Sequence, residues 1–368
     1  MYYCGLEKYQ ENIRDILKGL CELFDESCSH IFLYGSAASN NLSYKLVDGK
    51  IDFYSDIEFI VVPFEKDNEN NKAFKKWLME KAYEYVKLLP NVNTPPFVDV
   101  NSVSKEFFEN SQFRISTYEL KNNAKCLKGE NYLDLLPMID STNYIPAIQN
   151  IEIVKGLKVL LLESNKYFLK KDSKSEEEGD YKYSLYSSYL NVLRTLLPLF
   201  DVFELSVEGR LRKLREFGNS EILTYYFSSD VLDGFERIYE EKKDCSFSMN
   251  VKELFRLTYS AYRSLLCFIL KCPESELISS VSQKRDILFW GSDDKKNMLV
   301  KLACFFISSL DCLLEMVMYT KISNSSYRLC KKNYDELIQG QNSFGLMQVI
   351  NNYEIMEKYR WKIIGSKD

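Results

Sequence analysis

Histidine is almost absent from this sequence: His30 is its only instance in 368 residues. Reactions that need two histidines are therefore excluded, and a lone histidine just before an apolar run is usually structural. Close cysteine pairs are absent too, because the ten cysteines form no C-x-x-C motif. We therefore expect no structural zinc site and predict that the cysteines are reduced and buried rather than bridged.

The N-terminal segment lacks an apolar run of signal-peptide length and mixes acidic and basic residues from Glu7 onward. We therefore expect a cytoplasmic protein. The most apolar stretch, residues 298–319, is interrupted by Lys301, Asp311 and Glu315. This pattern predicts a core or interface helix, through which an oligomer could form, and not a membrane span.

An excess of basic residues is also missing, since 48 lysines and arginines face 53 acidic residues, for a net charge of −5. Binding of duplex nucleic acid normally requires a basic face that displaces counterions. We therefore expect no duplex nucleic acid as partner and favour a small molecule or a short oligomer as substrate.

The length of the chain suits two domains, each with its own apolar core. Residues 1–150 alternate between strand-like and helix-like patterns, and helical spacing prevails from residue 151 onward. We predict an α/β fold of the α+β type: a mixed, mostly antiparallel sheet with flanking helices in 1–150, and an all-helical domain in 151–368. The charged segment 171–180 predicts an exposed loop within the second domain.

The first strand-like run, His30–Tyr34, stops at Gly35-Ser36. A strand that breaks at glycine and serine can cradle a phosphate, because glycine lets backbone N–H groups approach an anion closely. The dipeptide Asp48-Gly49 lies between apolar residues farther along and predicts a tight β-hairpin. The hairpin leads into a second strand.

Acidic residues stand in the two strands that follow. In the strand predicted at residues 55–62, Asp56 and Glu58 are two positions apart and so project from the same face. Asp99 belongs to a third predicted strand, residues 96–100, which could lie beside the second. Clustered carboxylates repel one another unless a cation neutralises them, and their oxygens suit Mg²⁺ or Mn²⁺. Three carboxylates could hold two such ions.

The order Gly35-Ser36, Asp56-Ile57-Glu58 and Asp99 resembles the glycine-serine, paired-acid and third-acid pattern of the DNA polymerase β-like nucleotidyltransferase superfamily. The second strand is similar to that of kanamycin nucleotidyltransferase-type enzymes, and residues 126–137 resemble a segment of aminoglycoside adenylyltransferases. The stretch between the glycine-serine pair and the paired acids is longer than usual in the family, and the predicted hairpin accounts for the excess.

The resemblance implies a metal-dependent enzyme that transfers a nucleoside monophosphate from a nucleoside triphosphate, such as ATP, to a hydroxyl group, with release of pyrophosphate. It implies that Asp56, Glu58 and Asp99 bind Mg²⁺ or Mn²⁺ and that Gly35-Ser36 binds the nucleotide. It further suggests Lys182, near the start of a helix in the second domain, as a ligand of the triphosphate.

The acceptor and the general base for its hydroxyl stay open. An antibiotic, a sugar or a polyol fits the resemblance, a protein acceptor is also open, and a cyclic-oligonucleotide synthase would carry the same three acids. A different class of protein is a catalytically silent member of the fold that serves as a binding module. Such a module would need neither magnesium nor Asp56.

Overall fold

The computed structural model describes residues 10–39, 41–111, 114–138, 144–169, 175–217 and 220–338. They form a mixed α/β structure rich in helix, in which the described strands lie between residues 28 and 128, interleaved with helices, and the described elements after residue 128 are helical. The α+β class predicted from the sequence is confirmed at this level.

The chain divides into two compact units. The first contains the described residues up to Tyr144 together with the short segment Lys243–Cys245, and the second contains the other described residues from Ile145 onward. The division thus lies six residues before the predicted boundary at 150/151. Nine of the cysteines fall within the described residues; all nine are unbridged, and all but Cys126 are buried.

The first unit holds the strands and five helices. The strands are β1 Cys28–Tyr34, β2 Tyr44–Val47, β3 Lys50–Phe53, β4 Ile57–Pro63, β5 Val92–Thr94, β6 Val98–Ser102 and β7 Lys125–Lys128. The helices are α1 Glu11–Asp25, α2 Gly35–Ala38, α3 Lys72–Lys87, α4 Lys105–Glu109 and α5 Ile115–Asn123.

The main sheet of the first unit has the strand order β6-β4-β1-β7. Strand β1 is antiparallel to both β4 and β7, whereas β4 and β6 are parallel. A parallel pair needs a crossover connection, and here α3 lies on the connection from β4 to β6. A smaller sheet has the order β2-β3-β5.

The two faces of the main sheet bury different cores, because side chains alternate along each strand. Ile57, Phe59 and Val61 of β4 pack in one core together with buried residues of α1 and α3. Ile60 and Val62 of the same strand pack in a second core on the opposite face. Glu58 therefore belongs to the second face, at the end of β4 where the apolar residues stop.

The predicted hairpin is confirmed. Val47 of β2 pairs with Lys50 of β3, so Asp48 and Gly49 form a two-residue turn. Both turn residues have positive φ, 52° and 78°, as a type I′ turn requires. The hairpin accounts for the long stretch between Ser36 and Asp56.

The described part of the second unit is built of helices. They are α6 Pro146–Gln149, α7 Ile151–Leu169, α8 Ser175–Leu196, α9 Val207–Phe217, α10 Glu221–Tyr226, α11 Ser229–Lys243, α12 Val251–Leu270, α13 Leu277–Gln283, α14 Arg285–Leu288, α15 Asp293–Tyr319 and α16 Asn324–Ile338. Residues of α7, α8, α12 and α15 dominate one apolar core. Helix α15 is long and apolar enough to cross a membrane by length and composition, and 67% of its most apolar window is buried in the structure.

The predicted loop at 171–180 is wrong for residues 175–180, because α8 begins at Ser175, and residues 171–174 lie outside the described residues. Acidic residues dominate residues 176–180. Glutamate is a good helix former and is favoured in a first turn, where its charge complements the positive end of the helix dipole. High local charge therefore did not indicate a loop.

Candidate functional site

A row of three polar side chains crosses the second face of the main sheet. Tyr34, the last residue of β1, pairs in register with Glu58 of β4, and Glu58 pairs in register with Asp99 of β6. Adjacent strands lie about 4.8 Å apart, so the register brings two carboxylates and a phenol side by side. Asp99 and Glu58 are thus neighbours, as the sequence pattern requires.

The polar row ends at the next row of side chains on the same face, which is mainly apolar. Phe32 and Ile60 occupy the row beside Tyr34 and Glu58, and both are fully or almost fully buried in the second core. Asn101 continues this row on the edge strand β6. On this face of the sheet, the buried apolar row of Phe32 and Ile60 is therefore followed directly by the polar row that contains Glu58 and Asp99.

Asp99 is held by a basic residue that the sequence pattern did not reveal. The Lys75 ammonium lies 2.9 Å from Asp99 Oδ1 and donates to Asn101 Oδ1 at 2.9 Å. The amide of Asn101 donates to Asp99 Oδ2 at 3.3 Å and to the Tyr34 hydroxyl at 2.8 Å. Both carboxylate oxygens of Asp99 therefore have partners within the first unit.

Asp56 lies immediately before β4 and is exposed. The residue before it, Ser55, is buried, and its hydroxyl accepts a hydrogen bond from the Ser43 amide at 2.9 Å. The backbone carbonyl of Asp56 itself accepts a long hydrogen bond from the Ser36 hydroxyl at 3.4 Å. The glycine-serine turn and the first acid are thus adjacent, although the strand begins one residue later than Asp56.

The pKa of the Tyr34 hydroxyl is affected by the neighbouring acids. Burial raises its pKa above the ordinary value of 10, and the negative charges of Glu58, Asp99 and Asp56 raise the pKa further. The hydrogen bond from Asn101 lowers it only in part. All three acids act on one phenol, which indicates that they belong to a single electrostatic cluster and that Tyr34 stays protonated near neutral pH.

Both the backbone conformation and the space at position 35 require a glycine. Its φ of 68° lies in the left-handed region, and a Cβ at this position would collide with the carboxylate of Glu58. The backbone after β1 therefore passes directly against the central acid of the row. Gly35 is therefore needed for its close approach to Glu58 as well as for its turn conformation.

A cavity of about 670 Å³ adjoins the row within the first unit. It shares Lys75 and Asn101 with the site, and Lys72 and Arg114 add two further cations to its wall, against one acid, Glu106. Amide and hydroxyl side chains supply much of the remaining lining. The cavity suits a hydroxylated ligand with anionic groups better than a cationic one.

The fit of the site to a divalent cation is favourable in chemistry but incomplete in geometry. Carboxylate oxygens are the ligands that Mg²⁺ and Mn²⁺ prefer, and Glu58 and Asp99 stand next to each other. Within the described ranges, however, no group of three histidine, cysteine, aspartate or glutamate side chains is placed to hold a metal ion.

Lys182 lies on α8 in the second unit. Its ammonium is 3.0 Å from Glu178 Oε1 and donates to the Phe247 carbonyl at 3.1 Å, and its side chain is 15% exposed. These contacts are internal to the second unit. The role of Lys182 in binding a triphosphate stays a prediction.

His30 packs against an aromatic ring and hydrogen-bonds to a neighbouring serine, an environment typical of a structural histidine. The ring of His30 stacks on Tyr132 with centroids 4.1 Å apart, and Ser29 Oγ lies 2.9 Å from His30 Nδ1. Burial lowers the pKa of His30 below 6.5, and the positive charges of Lys128 and Lys105 act in the same direction, while Glu130 opposes them.

Comparison with known protein families, with curated proteins and with solved structures finds no match for this chain.

Proposed function

We propose that this protein is a nucleotidyltransferase that transfers a nucleoside monophosphate from a nucleoside triphosphate to a hydroxyl group of a small molecule, with release of pyrophosphate. The observation that carries the proposal is the strand register that sets Asp99 beside Glu58. Asp56 stands two residues before Glu58 and contacts the glycine-serine turn through Ser36. The proposal includes the nucleotidyltransferase fold for the first unit.

Each residue of the site has a role in this proposal. Asp56, Glu58 and Asp99 supply the carboxylates for Mg²⁺ or Mn²⁺, and the bound cation would stabilise the charge that develops on the transferring phosphoryl group. The backbone and hydroxyl of Gly35 and Ser36 bind the triphosphate oxygens.

The acceptor is a small hydroxylated molecule in this proposal, and the adjoining cavity is its binding place. The wall of that cavity, rich in amides and hydroxyls, can hydrogen-bond to a sugar or a polyol. Its cations, Lys72, Lys75 and Arg114, disfavour a strongly cationic antibiotic. We therefore place sugars, polyols and their phosphorylated forms ahead of aminoglycosides.

The second candidate function is a catalytically silent binding module, and one observation favours it. The Lys75–Asp99 ion pair neutralises one of the three acids without any metal ion. A protein that no longer binds metal needs such a pair to relieve repulsion between neighbouring carboxylates. The two candidates differ in whether Asp56 is needed for any measurable reaction.

The test is release of labelled pyrophosphate from each γ-labelled nucleoside triphosphate, with Mg²⁺ or Mn²⁺, across a panel of sugars, sugar phosphates, polyols and aminoglycosides and without acceptor. Asp56→Asn removes one carboxylate of the cluster. Asp48→Asn is the matched control, because it makes the same chemical change in the hairpin turn, where asparagine also adopts positive φ.

Acceptor-dependent pyrophosphate release in the wild type and in Asp48→Asn, with loss of at least about 100-fold in Asp56→Asn, supports the enzyme. No release across the panel, together with no metal-dependent binding of any nucleoside triphosphate by calorimetry, rejects it and leaves the binding module.

A further inference from the structure

The second unit contains a cavity of about 750 Å³, and all the residues that line it belong to that unit. Four aromatic side chains form a connected part of its wall, in the order Phe200, Phe268, Tyr226 and Tyr225. The ring centroids of successive members lie 5.4, 5.7 and 4.8 Å apart. A cavity of this size with an aromatic wall is typical of a small-molecule site.

Large apolar side chains of this cavity are exposed to solvent. Ile222 is 60% exposed, Tyr225 73% and Ile287 55%, and all three belong to the cavity wall. They stand on the short helices α10 and α14. Single exposed apolar residues are ordinary, but several that gather around one concavity indicate a binding site. A ligand with apolar surface would therefore gain free energy by covering them.

One polar side chain of the cavity wall is buried without a hydrogen-bond partner. Asn150 is fully buried, and neither its amide nitrogen nor its amide oxygen has a partner within the described residues. Its backbone is fixed, because its N–H donates to the Pro146 carbonyl at 2.9 Å and its carbonyl accepts from the Ile153 N–H at 3.0 Å. An unpaired buried amide is unfavourable and rare in folded proteins, so the missing partners require an explanation.

The place of Asn150 in the chain does not supply this explanation. Asn150 stands between α6 and α7, directly before Ile151, where an asparagine side chain usually accepts a hydrogen bond from the first turn of the helix. In the described part of the chain, Asn150 Oδ1 accepts no such bond. Because no hydrogen bond holds the amide, it can rotate about its side-chain bonds toward the cavity. A ligand in the cavity can then supply the partners.

We infer that this cavity binds a flat, mostly apolar ring molecule with a hydrogen-bond donor and an acceptor side by side on one edge. Cyclic amides have such an edge: their N–H donates to Asn150 Oδ1, and their C=O accepts from Asn150 Nδ2. The face of the ring packs against the aromatic wall. The two charged residues of the wall, Glu221 and Lys271, have opposite signs, which favours a ligand without net charge. This inference does not rest on the proposed function.

The test measures binding of isoquinolone, a flat bicyclic cyclic amide, to the full chain by calorimetry and by ligand-observed NMR. The N-methyl derivative of isoquinolone keeps the rings and the carbonyl group but has no N–H donor. We expect isoquinolone to bind at least about tenfold more tightly than the derivative, because the derivative leaves Asn150 Oδ1 without a donor. Equal affinities of the two compounds, or no binding of isoquinolone, would overturn the inference.

Asn150→Leu replaces the amide by an apolar group of similar size. It should bind isoquinolone at least about tenfold more weakly and lose the preference over the N-methyl derivative. Denaturant unfolding without ligand should show equal or higher stability, because the variant removes an unpaired buried amide. Asn165→Leu is the matched control, since Asn165 is also buried but lies outside the cavity wall, and it should keep the wild-type affinity. Lower stability of Asn150→Leu with unchanged affinity would assign the amide to the fold and reject the inference.

A second pair of variants tests the aromatic wall without disturbing the core. Tyr225→Ala removes an exposed ring of the cavity, and we expect isoquinolone to bind at least about fivefold more weakly. Tyr319→Ala is its control, because Tyr319 is also 73% exposed but lies at the end of α15, outside the cavity wall. Equal affinities of the two tyrosine variants would place the bound compound elsewhere and overturn the inference.

Discussion

Each unit of this protein contains a tyrosine, an aspartate and a basic residue that hydrogen bonds and an ion pair link into one cluster. In the first unit these are Tyr34, Asp99 and Lys75, which Asn101 connects. In the second unit Arg263 pairs with Asp311, and the Tyr259 hydroxyl lies 2.9 Å from Asp311 Oδ1 and 2.8 Å from the Ile307 carbonyl. The same three kinds of side chain thus serve in two settings.

The second-unit cluster joins two helices. Tyr259 is fully buried, the Arg263 and Asp311 side chains are 19% and 25% exposed, and together they tie α12 to α15. Burial raises the pKa of Asp311 above its ordinary value, and Arg263 and the hydrogen bonds offset this only in part. Arg263 also pairs with Glu274 at 2.6 Å. The cluster therefore joins two helices, and both of its acids pair with the same arginine.

The first-unit cluster lies at the sheet edge and has two further acids beside its ion pair. Beyond the Lys75–Asp99 pair, Glu58 stands in the same row and Asp56 lies exposed beside it. A cavity reaches Lys75 and Asn101. The comparison teaches that similar ion pairs can stand in different surroundings: the Arg263–Asp311 pair joins two helices, whereas the Lys75–Asp99 pair lies at a sheet edge beside further acids and a cavity.

The largest expected effect separates the two clusters by stability. Arg263→Met leaves the Asp311 carboxylate, whose side chain is three-quarters buried, without its counter-charge, so we expect the free energy of unfolding to fall by about 3 kcal/mol. Lys75→Met removes the equivalent cation at an accessible edge and should cost less than about 1 kcal/mol. Denaturant unfolding monitored by circular dichroism measures both. Equal losses in the two variants would show that the first-unit pair is structural as well.

The second prediction tests whether the first-unit cluster depends on the approach of Gly35 to Glu58. Gly35→Ala introduces a Cβ that displaces the Glu58 carboxylate, and misplacement of a reacting group by about 1 Å can reduce turnover about 100-fold. Gly49→Ala is the matched control. Gly49 also has positive φ, 78°, but a Cβ there meets nothing within 4 Å.

Both glycine variants should lose about 1 kcal/mol of stability from the positive φ, but only Gly35→Ala should lose pyrophosphate release. Steady-state rates measured beside unfolding curves distinguish the two effects. Equal activity in Gly35→Ala and Gly49→Ala would exclude Glu58 from the reaction.

The smallest expected effect concerns the part of the same sheet face that lies away from the acids. Because His30 is the only histidine, a proton NMR titration shows a single histidine Hε1 resonance. We expect its pKa below 6.5, since burial disfavours the charged ring. A pKa above 6.5 would mean that the negative charge of the acid cluster extends along β1 to His30.

The same shift predicts a slight pH dependence of stability. A folded-state pKa below the unfolded value favours the folded state above the unfolded pKa, and this contribution is lost as pH falls through the folded pKa. His30→Phe keeps the ring stacked on Tyr132 but cannot titrate, so the pH dependence below 6.5 should become weaker. Unchanged pH dependence would reject this assignment.

The sequence predicted the elements of the first unit well because their signals are local. Alternation placed Asp56, Glu58 and Asp99 near apolar strands, and Asp48-Gly49 predicted the hairpin that the structure contains. The strand edges were less accurate: β4 begins after Asp56, so that acid precedes the strand and is exposed. The third acid required an assumption about strand order that only tertiary packing can settle.

Lys75 and Asn101 were missed because their roles depend on packing between elements. Lys75 stands on an ordinary amphipathic helix with several lysines, and nothing in its local sequence separates it from Lys76. One signal was available for Asn101, since it lies two residues after Asp99 and therefore shares its face. Lys182 was selected by family resemblance, and its observed partners are Glu178 and the Phe247 carbonyl.

The parallel pairing of β4 with β6 also has a consequence for how the chain folds. The segment between Glu58 and Asp99 must cross over through α3 before the two strands can pair, and contacts of such long sequence separation form late. Because Lys75 is carried on that segment, the crossover that sets Asp99 beside Glu58 also brings the counter-charge of Asp99 to the same sheet edge. A single connection thus adds the third carboxylate and its cation together.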